Sequence, residues 1–387
     1  MPWLETGAMN ERARFVLELE EEQDSMAELC RQYGISRQTG YKWWTRFQTA
    51  GIEGLKDESR APHQHPNAIT DHRRRAIIAM RVSHPHWGPR KIVARLEQDH
   101  PGEVWPSCST VGEILDRAKL IVHRESRRRC PPMSQPFAMT DGPNATWCCD
   151  FKGWFKTGDG HRCDPFTLTD AYSRYLLRCV HVARPDGRHV RGIMETAFRE
   201  YGLPRSIRSD NGSPFASVGI AGLSRLSVWW IRLGIQPERI APGKPAQNGR
   251  HERMHRTLKM ETAQPPATTI GRQQKRFDSF RSEYNDLRPH EALGQKAPAS
   301  VYEGSVRAYP NRLPELEYPS AADCYRVRVH GQFSWKGREV FLGEALAGQW
   351  IGLLPADDRY SKLLFGPIVL GYLDKATNKI VNAEKHK

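Results

Sequence analysis

Apolar residues recur at helical spacing through roughly the first third of the chain, then give way to short runs with a strand period, and both patterns return before the end. Residues 10–60 predict three short helices. Ser25 and Glu28 have capping-box spacing and open a helix through Ala27, Leu29 and Cys30, which Gly34 ends. Ser36 then caps "RQTGYKWWTRFQTAG", which stops at Gly51. Two helices joined by "YGIS" match the helix-turn-helix arrangement, whose second helix enters the DNA major groove. Its first turn offers Arg37, Gln38 and Thr39, with Lys42 one turn on, all suited to base edges and phosphates. Trp43 and Trp44 suit the core instead.

After the linker "DESRAPHQHPNA", Thr70 caps "DHRRRAIIAMR", and the helical segments "HWGPRKIVARLEQ" and "SCSTVGEILDRAKL" follow. They predict a second helix-turn-helix-like unit. "HRESRRRCPPMSQP" reads as a basic, Pro-rich linker whose Arg127, Arg128 and Arg129 can lie along phosphates. From Trp147 the period changes. "TWCCDFKGWF" and "DPFTLTDAYSRYLLRCVHV" predict strands, the latter an antiparallel pair. "RHVRGIMETAFREYG" is an amphipathic helix, "LPRSIRSDNGSPF" a strand entering a polar turn, and "GLSRLSVWWIRLGI" a helix leading to a strand near Arg239 and Ile240. Strands with helices between them predict a mixed α/β sheet. "YRVRVHGQFSWKGREVFLGEALAGQWIGLLP" and "KLLFGPIVLGYLD" alternate again, with Gly at the turns, and predict a small β-barrel. The expected domains are 1–62, 63–125, the linker 126–142, the α/β domain 143–310 and the barrel 318–376.

Charge narrows the partners. In 387 residues, 58 Lys and Arg exceed 44 Asp and Glu by 14, for a pI near 9.5, and nucleic acid is the usual partner of such an excess. No stretch approaches the roughly 18 apolar residues of a membrane span, and the N-terminus lacks a signal-peptide core. The eight cysteines show no CxxC pair, as suits free thiols in a reducing cytoplasm. The expected location is the cytoplasm, at the nucleoid.

Against this basic background three acids stand out: Asp150 inside a strand, Asp210 at a strand's end, and Glu252 in "PGKPAQNGRHERMHRTLK". A carboxylate in a buried strand is costly unless paired or metal-bound. At 100° per residue, Glu252 shares a polar face with Arg256 and Lys259, while His251, Met254 and Leu258 form the opposite stripe. A structural Glu there would make weak surface ion pairs. A functional one would hold a divalent metal while its cationic neighbours hold phosphates; His251 then packs.

"CCDFKG", "RSDNGSPFAS" and "PGKPAQNGRHERMHRTLK" resemble the three catalytic blocks of DDE transposases and retroviral integrases, and "EYNDLRPHEALGQKAPASVY" resembles the segment that closes that domain in bacterial insertion-sequence enzymes. The likeness is greatest to the insertion-sequence 481 family, related to the IS3 group, and covers nearly the whole chain. It implies an RNase H-like catalytic core over 143–310 with Asp150, Asp210 and Glu252 as catalytic and metal-binding acids. Two Mg²⁺ or Mn²⁺ ions suit these oxygen ligands. Asn248, Arg256 and Lys259 would contact DNA. The spacing from Asp210 to Glu252 exceeds the family's usual one, with the surplus expected in "ASVGIAGLSR". The implied activity is that of a transposase, working as a homo-oligomer on double-stranded DNA: it binds terminal inverted repeats, cuts the element ends and joins them to target DNA. A prophage or retroelement integrase and a catalytically silent DNA-binding regulator are the rivals.

Overall fold

The computed structural model describes residues 7–21, 24–58, 68–121, 140–217, 219–240 and 249–381. Arg127, Arg128, Arg129 and Asn248 lie outside them. The chain forms two compact units, Met1–Ile69 and Thr70–Lys387.

In the first unit, α1 (Ala8–Glu20), α2 (Met26–Gln32) and α3 (Arg37–Ala50) enclose Phe15, Val16, Leu29, Cys30, Trp43 and Leu55. The capping box at Ser25 and Glu28 is present, and Ser36 Oγ accepts from the Thr39 amide. Gly40 lets α3 cross close to α2, since a Cβ there would stand 2.6 Å from Cys30 Sγ.

The second unit begins with α4 (Asp71–Ser83), α5 (Pro89–Asp99) and α6 (Cys108–Arg117). These helices belong to the same compact body as the sheet domain. Arg90 pairs with Glu291 at 2.7 Å, His84 Nδ1 lies 3.5 Å from Glu283, and Gln98 donates to the Gln295 carbonyl.

Next come β1 (Thr146–Phe151), a hairpin of β2 (Phe155–Lys156) and β3 (Arg162–Cys163), then β4 (Pro165–Asp170), β5 (Leu176–His181), α7 (Gly187–Tyr201), β6 (Ser206–Ser209), α8 (Arg225–Arg232) and β7 (Gln236–Arg239). The sheet order is β5-β4-β1-β6-β7, antiparallel among the first three strands and parallel from β1 through β6 to β7. This is the mixed sheet that the strand patterns predict. Trp147, Phe166, Leu168, Met194, Phe198 and Trp230 are among its core. α9 (Gly249–Thr262) and α10 (Ile270–Ser282) pack Met254, Leu258, Phe277 and Phe280 with Leu176 and Cys179 of β5. "ASVGIAGLSR" forms a 3-10 turn at Ile220–Gly222 ahead of α8.

The C-terminal region departs from the expected barrel. β8 (Asp323–Arg326), β11 (Trp350–Pro355), β12 (Tyr360–Phe365), β13 (Ile368–Asp374) and β14 (Ile380–Val381) make an antiparallel sheet in the order β14-β13-β12-β11-β8, while β9 (Gln332–Trp335) and β10 (Arg338–Phe341) form a separate hairpin. Among the described residues β8 and β14 do not pair, so the sheet stays open. Its apolar face is covered from outside: Phe333, Trp335 and Val340 of the hairpin and Leu223, Val228 and Ile231 at α8 share one core with Ile351, Leu353, Leu363 and Phe365. α8 is therefore apolar on two faces, because Leu226, Trp229 and Trp230 enter the central core. No helix of the described residues is long and apolar enough to cross a membrane.

Candidate active site

The register of β1 and β6 brings the first two acids together. Thr146 pairs with Ser206, Trp147 with Ile207 and Cys148 with Arg208, an offset of sixty positions. Extending that offset sets Asp150 level with Asp210 on neighbouring strands, roughly 4.8 Å apart in backbone spacing. Asp210 leaves the strand at its end, and its Oδ1 accepts from the Gly212 amide at 3.1 Å. Glu252 stands exposed in the first turn of α9.

The three acids share one field. The Asp150 carboxyl is pushed up to about 7, first by burial and then by the Asp210 charge, with Glu252 adding to it; the Phe151 amide and Lys152 act the other way. Crowded carboxylate oxygens of this kind favour a hard divalent cation, which would relieve their repulsion.

What holds Glu252 opposite the strands is a hydrogen-bond clamp on either side of it. Thr167 of β4 is the register partner of Asp150 and donates its hydroxyl proton to the Asp150 carbonyl at 3.2 Å. The Thr167 oxygen meets His251 Nε2 and His255 Nε2, each at 2.7 Å. With its proton already committed, that oxygen accepts from both rings, which fixes both as Nε2–H tautomers. His251 Nδ1 then accepts from Thr169 Oγ1 at 3.0 Å. Burial lowers His251 to about 3 and His255 to about 2, so both are neutral near pH 7. The 3.8 Å approach of His255 Nδ1 to Asp150 Oδ2 is accordingly not an ion pair.

Asp150, His251 and His255 bring ligand atoms within 4.8 Å of one another, a spacing open to a metal. Here, however, Thr167 and Thr169 engage both nitrogens of His251 and Nε2 of His255. That leaves His255 Nδ1 beside Asp150, and the oxygen donors of the three acids would suit a hard cation better. The sequence places His251 among packed residues, which is where it lies; Thr167 it does not single out, because only strand pairing brings that residue beneath Asp150.

The remaining predicted residues are spread more widely. Arg256 and Lys259 are exposed on α9. Lys259 lines a cavity of about 120 Å³ with Lys152, Trp154, Leu258 and Phe277. In the first unit Arg37, Gln38 and Lys42 are exposed on α3, and the Lys42 ammonium lies 5.0 Å over the Trp43 ring. The Thr39 hydroxyl meets Ser36 Oγ at 2.9 Å, so it serves the helix cap.

Known proteins match in the same places. Residues 140–245 and 233–298 each match the integrase core domain, spans that together contain all three acids. Residues 11–63 match a helix-turn-helix domain, and 39–115 a homeodomain-like domain. The insertion element IS407 uncharacterized 31.7 kDa protein of Burkholderia multivorans is 25% identical over 241 residues, 61% of this chain and 83% of that protein. The insertion element IS476 uncharacterized 39.2 kDa protein of Xanthomonas euvesicatoria is 23% identical over 250 residues, 64% of this chain and 69% of that protein. Among solved structures, the HTLV-2 integrase catalytic core domain in complex with magnesium is 15% identical, covering 42% of this chain and 99% of that one at a TM-score of 0.34. Helix-turn-helix segments followed by an integrase core mark a DNA-binding enzyme, and insertion-element proteins are its relatives over most of their length. Together these domains and relatives support a DDE transposase of the retroviral integrase superfamily, of the bacterial insertion-sequence kind.

Proposed function

We propose that Asp150, Asp210 and Glu252 form the catalytic triad that cuts the element's DNA ends and joins them to target DNA. The observation that carries this is the convergence of three carboxylates, from β1, the end of β6 and α9, in one field. An integrase core implies a divalent metal, and these three side chains would hold two Mg²⁺ or Mn²⁺ ions. Such ions would supply activation of water or a 3′-hydroxyl and stabilisation of the leaving oxygen. The protein's own part is to hold the acids in place through the Thr167 clamp and to bind and orient the DNA. No covalent nucleophile is needed; burial pushes the Cys148 thiol up to about 11, far from the thiolate range. Incubating the purified chain with labelled element ends and Mg²⁺ tests the reading, and ends that stay uncut and unjoined would overturn it.

DNA recognition is assigned to the N-terminal helices, which would bind the terminal repeats, with the basic segment at Arg127, Arg128 and Arg129 and Asn248 adding contacts. An element has two ends, so an assembly of several copies on DNA supplies a triad to each. Replacing Arg37 and Gln38 with Ala is expected to reduce preference for the terminal repeat by about 1–3 kcal/mol for each bidentate hydrogen-bond pair to a base that is removed. Footprints on the repeat and on unrelated DNA check this, and an unchanged footprint would move recognition to α4–α6.

Lys259 sits two helical turns from Glu252, about 10.5 Å along the axis, within roughly 20° on one face. That reach suits a phosphate near the scissile bond. Lys259→Ala should alter stability by under about 0.5 kcal/mol, yet lower cleavage and joining severalfold, with partial recovery in Lys259→Arg. Full activity of Lys259→Ala on the element's own ends would leave this lysine to solvent.

A further inference from the structure

The second unit holds a basic cavity that the triad does not use. It has a volume of about 370 Å³, and Lys91, Arg174, Arg253 and Arg288 all line it. The four cations are unevenly neutralised. Arg288 is held by Glu261 through two hydrogen bonds of 2.8 and 3.1 Å. Arg174 donates to the Ala171 carbonyl. Glu291, an acid in the cavity wall, is taken by Arg90 at 2.7 Å. Among the described residues neither Lys91 nor Arg253 has a carboxylate partner. Burial first and then the Arg288 charge hold Lys91 down at about 8, although the Glu261, Glu283 and Glu291 charges act the other way. His290 Nε2, in the same wall, is buried without a hydrogen-bond partner.

Position narrows the ligand. Arg253 follows Glu252 on α9, and Thr257 of the same helix also lines the cavity, one turn on. Lys91 comes from α5, so the wall is built jointly by the helices ahead of the sheet and by the helix that carries the third acid. An anion held here lies within a turn or two of Glu252. Arg253 and Thr257 stand roughly 100–140° round α9 from Glu252. A strand with one phosphate at the acids would therefore set a neighbouring phosphate here if it turned across that helix, and Lys and Arg are common phosphate-binding residues.

We propose that the cavity between α5 and α9 binds a backbone phosphate of the element end, a few nucleotides from the cleaved bond, through Lys91 and Arg253. The proposal rests on the transposase reading and adds to it an anchor that registers DNA between the helical module and the acids.

The test is a scan of single methylphosphonate linkages, each neutral, along a labelled element-end duplex, with binding read for the full-length wild type and for Lys91→Met/Arg253→Gln. In the wild type, one or two adjacent linkages near the cleavage site should weaken binding about tenfold. The double variant should bind unmodified DNA about tenfold more weakly, lose close to one unit of slope in log affinity against log salt, and become indifferent to those linkages. The same profile in both proteins would overturn the proposal. So would a rise in wild-type Tm with pyrophosphate, lost in the variant, alongside identical scans, for the cavity would then hold a free anion. Should the double variant not fold, Arg253→Gln alone decides, since Arg253 is exposed. Wild-type cleavage of the same duplex with Mg²⁺ is measured in parallel. Absence of cleavage speaks against the triad reading, whereas intact cleavage with identical scans speaks against this cavity alone.

Discussion

Asp150→Asn, Asp210→Asn and Glu252→Gln are each expected to abolish cleavage and strand joining while leaving binding to the element end intact. Each substitution keeps the shape of the side chain and removes one negative ligand, so a hard divalent cation loses its hold. Chelating the metal with EDTA should have the same effect on the unsubstituted protein. Stability distinguishes this from unfolding. The Asp150 carboxyl is raised to about 7 in the folded chain, above its unfolded value. A group raised in this way lends stability at low pH that is lost as pH climbs through its folded pKa. Asp150→Asn removes a titrating group that is unfavourable when ionised, so the metal-free variant should melt higher than the wild type above pH 7 and gain less from added Mg²⁺. Near-normal strand joining in any one of the three variants would sink the triad assignment.

Thr167→Val is expected to impair catalysis nearly as much, although Thr167 is fully buried. Valine nearly matches threonine in volume but has no oxygen to accept from His251 and His255. Two buried imidazole N–H groups would then lack a partner, at a cost of about 1–3 kcal/mol each. The first two turns of α9 would keep only the His251–Thr169 bond to β4, and Glu252, between the two histidines, would be held less firmly opposite Asp150. Cleavage should fall by at least tenfold at a temperature where the variant remains folded, with end binding unchanged. Thr167→Ser restores the hydroxyl and should recover most of the activity. That recovery separates positioning from packing, because serine loses the methyl group and still keeps the clamp. A fully active Thr167→Val would reduce the clamp to a stability feature.

Much of this protein is fixed by local pattern. The Ser25 and Glu28 box, the Ser36 cap and Gly51 bound helices whose ends depend on neighbours three or four residues away, and those ends fall where spacing puts them. Short, largely apolar runs bounded by turns locate β1, β4 and β5, which are buried on both faces over most of their length. The sixty-residue interval between Asp150 and Asp210 is also written in the chain, but its meaning as a strand register needs the pairing of β1 with β6.

Long-range packing decided the rest. The alternating C-terminal runs are compatible with a closed barrel or an open sheet, and the sheet stays open because the β9–β10 hairpin and α8 cover its apolar face. Helical period puts His251 and Met254 on a buried stripe, yet what His251 touches depends on which strand lies beneath α9. Thr167 is one polar residue among several in its strand until antiparallel pairing sets it against Asp150 and helix packing lowers two imidazoles onto its hydroxyl. The basic cavity is of the same kind. Lys91 and Arg253 stand 162 positions apart in sequence, and only the packing of α5 against the sheet domain brings their like charges into one wall.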